Sequence, residues 1–168
     1  GPLHTARNQH FSQYSQEIRV SNDITDQINL TAGVFLWKDS IMLQQHSGGV
    51  VQTSGQDTES VAFFALVRYD LTDTVSISAG ARYVDEEKTF HSQYNTIVGP
   101  GTYGTVAPLE APVVLPRFTK SASWDDYMGE ATIDWQATED SLIYARWARG
   151  FRSGGYSIRY AASDTLTA

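Results

Sequence analysis

The sequence contains no cysteine, few charged residues and no long hydrophobic run, and each absence excludes a class of protein. Without cysteine, a disulfide framework, a thiol nucleophile and a cysteine-ligated metal site are all impossible within this sequence. The formal net charge of −7 argues against nucleic-acid binding, which needs a basic surface that displaces counterions from phosphates. The longest apolar run, Val61–Val67, has seven residues, whereas a membrane-spanning helix needs about 18 or more.

Motifs for catalysis are also missing. There is no Gly-x-Ser-x-Gly nucleophile elbow and no phosphate-binding Gly-x-x-x-x-Gly-Lys. Residues 99–104 fit Gly-x-Gly-x-x-Gly, but Pro100 and the residues after it offer no helix to hold a pyrophosphate. We therefore predict no enzyme activity, no catalytic residue and no cofactor.

Aromatic residues are abundant instead, at 12%, while charged residues make up only 18%. Soluble domains usually carry about 25% charged residues. The length of 168 residues fits one domain or part of a larger protein.

Polar and apolar residues alternate through most of the sequence. Each alternating segment has a period of two over about nine residues, which predicts a strand with one apolar face. The clearest segments are residues 14–21, 28–36, 75–83 and 127–136.

A short repeat predicts where these strands turn. Residues 25–32 match residues 72–79 and, more loosely, residues 138–145, and each block begins with Thr and ends with Ala. Asp and Thr side chains stabilise tight turns by bonding to the local backbone. Three such turns predict three hairpins, and therefore about six strands.

The links between the hairpins have a different composition, since residues 40–58 and 89–124 are rich in Gly, Ser, Thr, Gln and Pro. We interpret them as long loops. Short turns at one end of the strands and long loops at the other are typical of outer-membrane β-barrels. The predicted fold is therefore all-β, an antiparallel transmembrane β-barrel segment of six long strands with short periplasmic turns and long extracellular loops.

The placement of rings and charges fits two membrane interfaces and a wet lumen. Aromatic residues on the apolar parity concentrate near strand ends, as in the aromatic girdles of membrane barrels. The predicted girdle residues are Tyr69, Trp135, Tyr83, Trp147 and Phe151. The opposite parity carries the predicted lumen-facing polar residues Arg82, Glu130, Thr132, Asp134 and Arg146.

Three segments resemble successive strands of the TonB-dependent receptors. They are Ser15-Gln16-Glu17-Ile18-Arg19-Val20, then Ala79-Gly80-Ala81-Arg82-Tyr83, and finally residues 144–156, which read Tyr-Ala-Arg-Trp-Ala-Arg-Gly-Phe-Arg-Ser-Gly-Gly-Tyr. The resemblance covers roughly residues 11–160 and keeps the order of the family's motifs.

The resemblance implies the middle portion of a 22-stranded barrel in the outer membrane of a Gram-negative bacterium. That family imports scarce nutrients such as ferric siderophores, and an inner-membrane TonB complex supplies the energy through a plug domain. We therefore expect as partners outer-membrane lipid and lipopolysaccharide, the rest of the barrel with its plug, the TonB complex and a small-molecule or iron-chelate ligand. Residues 13–152 would form the barrel wall, residues 1–12 a tail or loop end, and residues 153–168 the start of a further extracellular loop.

Candidate ligand residues lie on the predicted extracellular rim. Arg149 and Arg152 follow the outer aromatic residues, where they would contact lipopolysaccharide phosphates, contact an anionic ligand or simply face water. His46 and His91 fall in the predicted loops and are candidates for contact with a ferric ligand, although no histidine spacing indicates a metal site.

Two other architectures compete with a receptor segment. A small autonomous outer-membrane barrel would need eight or so strands, and a soluble β-sandwich binding module would pack two sheets face to face. The predicted six strands argue against the first. Detergent discriminates the second, because a sandwich should be monodisperse without it, whereas lipid-facing hairpins with open edges should aggregate or pair.

Overall fold

The computed structural model describes residues 5–47, 50–96 and 113–158, and almost all of them lie in strands. The strands are β1 (Thr5–Thr25), β2 (Ile28–Ser47), β3 (Val50–Thr72), β4 (Val75–Thr96), β5 (Val113–Thr138) and β6 (Ser141–Arg149). They form one antiparallel sheet in chain order, from β1 to β6. The predicted all-β fold of six strands is confirmed, and the sheet of this segment is not closed into a barrel.

The three repeated blocks are the three hairpin turns. The Thr25 hydroxyl oxygen accepts hydrogen bonds from the backbone N–H groups two and three residues further on, at 3.2 and 3.1 Å. The Thr72 hydroxyl does the same at 3.3 and 3.1 Å. The register shifts just before each turn, between Asp23 and Thr25, between Asp70 and Thr72, and between Gln136 and Thr138. The repeat therefore encodes one local design, a bulge followed by a two-residue turn that the Thr side chain stabilises in at least two of the hairpins.

The segments predicted to be long loops are mostly strand, so that prediction is wrong in extent. Residues 40–47 pair with residues 50–57 in an unbroken antiparallel register, and residues 89–96 continue β4. Residues 113–124 belong to β5, and residues 5–12, predicted as a tail, belong to β1. Residues 48–49 and 97–112, which include the Gly-x-Gly-x-x-Gly match, lie outside the described residues.

The long strands have a simple physical origin. Backbone pairing needs no apolar side chain, and Ser, Thr, Gln and Val can pair across strands without an apolar face. The buried Ser54 and Ser92 hydroxyls, for instance, lie 3.0 Å apart, and those of Thr89 and Ser121 lie 2.8 Å apart. The strands β1–β5 thus reach 20 to 26 residues, about twice the 9–11 that cross a bilayer.

The sheet has two faces, because successive side chains of a strand point to opposite sides. We call one the outer face, defined by the row of side-by-side residues Val34, Phe63, Tyr83 and Tyr127. The inner face is defined by the adjacent row Gly33, Phe64, Arg82 and Met128. Through residues 61–67 of β3 the outer residues are exposed while the inner ones are buried or half-buried, so the inner face is the more enclosed one.

After β6 the chain crosses the inner face. We call residues 150–158 the strap. Tyr156 of the strap, 9% exposed, lies on Phe90, which is fully buried, with the two ring centres 5.5 Å apart. Phe118, Ala122 and Ile158 pack around this pair. This small core lies in the half of the sheet that is remote from the hairpin turns.

Candidate functional site: the two faces of the sheet

The outer face carries a broad apolar band. Its members are exposed although they are large and hydrophobic: Val61, Phe63, Val67, Tyr69, Ile77, Tyr127, Ile133, Trp135, Ile143 and Trp147. Soluble proteins rarely expose so continuous an apolar surface. A bilayer is the solvent that suits such a face.

Aromatic rings border the band at both ends. Trp135 pairs with Val75 close to the turns. Tyr69 pairs with Ile77, which lies two residues after Val75 on β4. At the other end the Tyr83 and Tyr127 rings lie 4.8 Å apart, and Phe63 pairs with Tyr83. Val75 and Tyr83 are eight residues apart, or ~27 Å along the strand and ~20 Å of membrane depth at the usual tilt, close to the ~25 Å of barrel bands.

Two predicted girdle residues occupy other positions. Trp147 is exposed on the outer face, but it pairs with Ala131, between the two ring rows rather than in either. Phe151 lines a cavity with Phe35 and Trp37 and so lies on the inner face. β6 ends at Arg149, and parity counting fails beyond that point because the strap turns inward.

Charges begin directly beyond the Tyr83 row. Asp85 and Asp125 lie opposite each other on the outer face, and Lys38 Nζ binds Glu59 Oε1 at 2.5 Å one row further on. The hydrogen bond to Glu59 and its charge raise the pKa of Lys38. The change from rings to charges within two residues marks a sharp boundary of the apolar band.

The inner face holds the predicted polar residues. Arg146 binds Glu130 at 2.5 Å, and the same parity carries Arg82 and Asp134. A cavity of about 420 Å³ is lined by side chains from β1 to the end of β6, including Arg19, Arg82 and Glu130. This cavity contacts β1 at one edge of the sheet and β6 at the other edge. The sheet therefore curves around the inner face.

Asp134 lines a different cavity, which lies near the turns. That cavity measures about 450 Å³ and is also lined by Arg68 and Asp70, which bind each other at 3.0 Å. Asp134 is therefore separated from Arg82 and Glu130 along the inner face.

An apolar patch on the inner face was not foreseen. Phe35, Trp37, Phe64, Leu66 and Met128 lie on this face together with the charged residues. The signal was present in the sequence, because the runs 34–37 and 61–67 are apolar at both parities. A run without alternation indicates a strand that is apolar on both faces.

The strap is fixed to the inner face by one ammonium group. Lys88 Nζ donates hydrogen bonds to Ser153 Oγ and to the Gly154 carbonyl oxygen, both at 2.8 Å. It also lies 3.1 Å from Glu86 Oε1 and 5.6 Å from the centre of the Trp124 ring. Sequence reasoning had no signal for these contacts, which join residues 65 and 66 positions apart.

The two arginine candidates differ in their surroundings. Arg149 donates to both Asp126 carboxylate oxygens, at 2.8 and 3.0 Å, and to the Tyr127 carbonyl oxygen at 2.9 Å. Arg152 is exposed on the strap. The structure therefore engages Arg149 within the sheet and leaves the Arg152 side chain accessible.

The two histidine candidates do not come together. His46 pairs with Val51 and is buried, whereas His91 pairs with Gly55, four residues further along β3. A Cβ at Gly55 would lie 2.4 Å from His91 Nε2, so the ring packs on the glycine. Burial lowers the pKa of His91, as does Arg117, while Asp57 raises it.

Metal-binding clusters and membrane helices are both missing from the part of the chain that the structure describes. Residues 5–47, 50–96 and 113–158 contain no group of three or more His, Asp or Glu side chains that could hold a metal ion. The same residues contain no helix of the length and apolarity needed to cross a membrane.

Comparison with known proteins decides the family. The family "TonB dependent receptor-like, beta-barrel" matches residues 2–167. The chain belongs to the TonB-dependent receptor family. TonB-dependent receptors are outer-membrane transporters rather than enzymes. No curated protein matches the chain.

A solved TonB-dependent receptor has the same fold. The chain is similar to the crystal structure of the ferric yersiniabactin uptake receptor FyuA from Yersinia pestis, with a TM-score of 0.76 and 19% sequence identity. The match covers 97% of this chain and 24% of FyuA. The chain thus spans about a quarter of that receptor, and the likeness shows the fold alone.

Proposed function

We propose that this chain is a wall segment of an outer-membrane receptor that takes up a scarce nutrient, with a ferric siderophore as the leading candidate. The observation that carries the proposal is the apolar outer band between two rows of rings, on a sheet whose other face bears ion pairs. FyuA, a ferric yersiniabactin uptake receptor, supports an iron chelate as the nutrient. The remaining barrel, a plug domain and the TonB complex would be its partners.

In this proposal the hairpin turns face the periplasm and the long polar ends of the strands face outward. The outer band contacts lipid, and the charged row beyond Tyr83 meets the lipopolysaccharide headgroups. Cysteine labelling tests this orientation. In intact cells, a membrane-impermeant maleimide should label the full-length receptor carrying Glu87→Cys but not the receptor carrying Asp73→Cys, which should react only after the outer membrane is opened. Labelling of Asp73→Cys on intact cells would contradict the orientation.

Ligand capture is assigned to the strap and the polar strand ends. Arg152 is the favoured contact because its guanidinium is exposed, while His46, His91 and Arg149 remain candidates. Arg offers bidentate geometry to carboxylate or phosphate groups of a ligand.

Uptake of labelled iron tests the nutrient. A strain that lacks the full receptor gene should take up less ⁵⁵Fe from at least one ferric siderophore, and the intact gene should restore uptake. Arg152→Gln should weaken the restored uptake, whereas Arg68→Gln, near the turns, serves as the matched control. Equal ⁵⁵Fe uptake with and without the gene, for every chelate including ferric yersiniabactin, would refute an iron-chelate function.

A further inference from the structure

The inner face carries a third cavity, at the level where the apolar band of the outer face ends. It measures about 370 Å³, and its lining includes Phe35, Trp37, Arg82, Val84, Met128 and Phe151. The Phe35 and Trp37 rings are adjacent, with centres 6.3 Å apart. Pockets of about 300–1,000 Å³ that are mostly apolar, with a few polar groups, are typical of small-molecule sites.

Arg82 supplies the positive charge of this cavity. Its guanidinium carbon lies 5.2 Å from the centre of the Phe35 ring, a cation–π distance. Four other arginines of the sheet bind carboxylates: Arg19 binds Glu17, Arg68 binds Asp70, Arg146 binds Glu130 and Arg149 binds Asp126. Arg7, on β1, instead donates to the Gln45 amide oxygen at 3.1 Å. Among the residues that the structure describes, no carboxylate pairs with Arg82.

The single carboxylate in the lining, that of Glu86, forms an ion pair with Lys88, although its buried Oε1 atom accepts no hydrogen bond from the described residues. Glu86 Oε1 lies 3.1 Å from Lys88 Nζ, which reduces its repulsion of a ligand anion. The charge of Arg82 is therefore the one that remains unmatched in the cavity.

The strap completes the cavity. Lys88 holds the strap at Ser153 and Gly154, and this position brings Phe151 to the cavity that Trp37 lines from β2. The two aromatic residues belong to elements more than 100 residues apart in the sequence. The cavity therefore depends on the folded strap and not on the sheet alone.

We propose that this cavity, the Arg82 pocket, binds an anionic group carried on a flat apolar body, such as an aromatic carboxylate. The guanidinium would donate paired hydrogen bonds to the anion, and the rings of Phe35, Trp37 and Phe151 would pack on the apolar body. The proposal rests on the proposed function, because it names the ligand chemistry that the inner face of the receptor accepts. Lys88 acts here as a positioning residue, since it holds the strap and contributes no lining surface.

A pair of probes that differ in charge tests the pocket. Binding of 1-naphthoate and of neutral 1-naphthamide to the full-length receptor in detergent is measured by isothermal titration or by ligand-observed NMR. The wild-type receptor should bind naphthoate about tenfold or more tightly than naphthamide, because a hydrogen bond to a charged group is worth more than a neutral one. Equal affinities for the two probes overturn the proposal, whatever the variants do.

Variants then locate the preference. Arg82→Gln should abolish the preference for naphthoate while leaving naphthamide binding within about twofold. Arg68→Gln, the matched control, should keep the preference because Arg68 lies near the turns and is paired with Asp70. An unchanged preference in Arg82→Gln overturns the assignment of the pocket.

The two proposals fail separately. A receptor that shows the probe preference but takes up no iron chelate refutes the proposed nutrient and leaves the pocket intact. A receptor that takes up an iron chelate but binds the probes equally refutes the pocket and leaves the nutrient intact.

Discussion

Replacing Lys88 by methionine should release the strap from the inner face. The ammonium group makes two hydrogen bonds of 2.8 Å to the strap and lies 3.1 Å from Glu86. Its side chain is only 16% exposed, so solvent screens these contacts weakly. Hydrogen bonds that involve a charged group contribute ~1.5–3 kcal/mol each. Both bonds come from one ammonium group, and water hydrates the Ser153 and Gly154 oxygens once the strap opens, so the two contributions do not add in full. Because methionine also keeps much of the apolar stem, we expect the closed strap to lose ~2 kcal/mol, or about thirtyfold in its closing equilibrium.

The assay is cysteine labelling at a position that the strap covers. Ala122 packs against the Phe90–Tyr156 core, and the Ala122→Cys receptor offers a small thiol there. When opening and closing are fast, the labelling rate follows the population of the open strap. Lys88→Met should therefore raise the maleimide labelling rate about thirtyfold.

The control is a lysine on the opposite face. Lys38 pairs with Glu59, but both side chains are 65% exposed, and such surface pairs contribute ~0–1 kcal/mol. Lys38→Met should leave the labelling rate of Ala122→Cys unchanged. An equal rate in Lys88→Met and in the parent receptor would refute the role of Lys88 in holding the strap.

Three further predictions concern other parts of the sheet. Gly154→Val should open the strap and raise labelling, because a Cβ there would lie 2.7 Å from the Trp124 ring, while Gly155→Val, whose Cβ would have 4.0 Å to its nearest neighbour, should not. Val67→Arg, in the exposed outer band, should cost ~2–4 kcal/mol in urea unfolding from lipid vesicles, and a change below ~1 kcal/mol would contradict a lipid-facing position. Burial lowers the pKa of His91 below 6.5, so the unfolded chain takes up a proton before the folded chain does and stability falls as the pH drops below ~6.5. His91→Gln should flatten this fall in urea midpoints measured between about pH 7.5 and 5.5; an identical pH dependence in both proteins would show that His91 is not responsible.

The hairpins could be predicted because their determinants are local. The Thr25 and Thr72 hydroxyls accept from the N–H groups two and three residues further on, so these contacts need no distant partner. The three blocks that begin at Thr25, Thr72 and Thr138 were therefore sufficient to place all three turns. The outer face was predictable for a related reason, since parity fixes which side chains share a face as long as the strand continues.

The strap and its pocket could not be predicted, because their determinants are distant in sequence. The Lys88 contacts connect residues 65 and 66 positions apart. Parity assigned Phe151 to the girdle, and the assignment failed where β6 ends at Arg149. Strict alternation also predicts that one face is polar, whereas Phe64 and Leu66 form an apolar patch among the charged residues of the inner face.

The residues predicted to be loops are mostly strand, because the polarity of side chains changes along a strand while its backbone pairing continues. Near the turns, the outer side chains of β4 are apolar, and beyond Tyr83 the same parity carries Asp85 and Glu87 while the backbone pairing continues to Thr96. Hydrophobic alternation therefore marks the extent of the apolar band and not the length of the strand. Beyond the band, cross-strand pairs such as Thr89 with Ser121 and the core around Phe90 and Tyr156 stabilise the strands. Glu87→Lys should consequently be tolerated and Ala79→Lys should be costly, although one strand carries both residues on the same face.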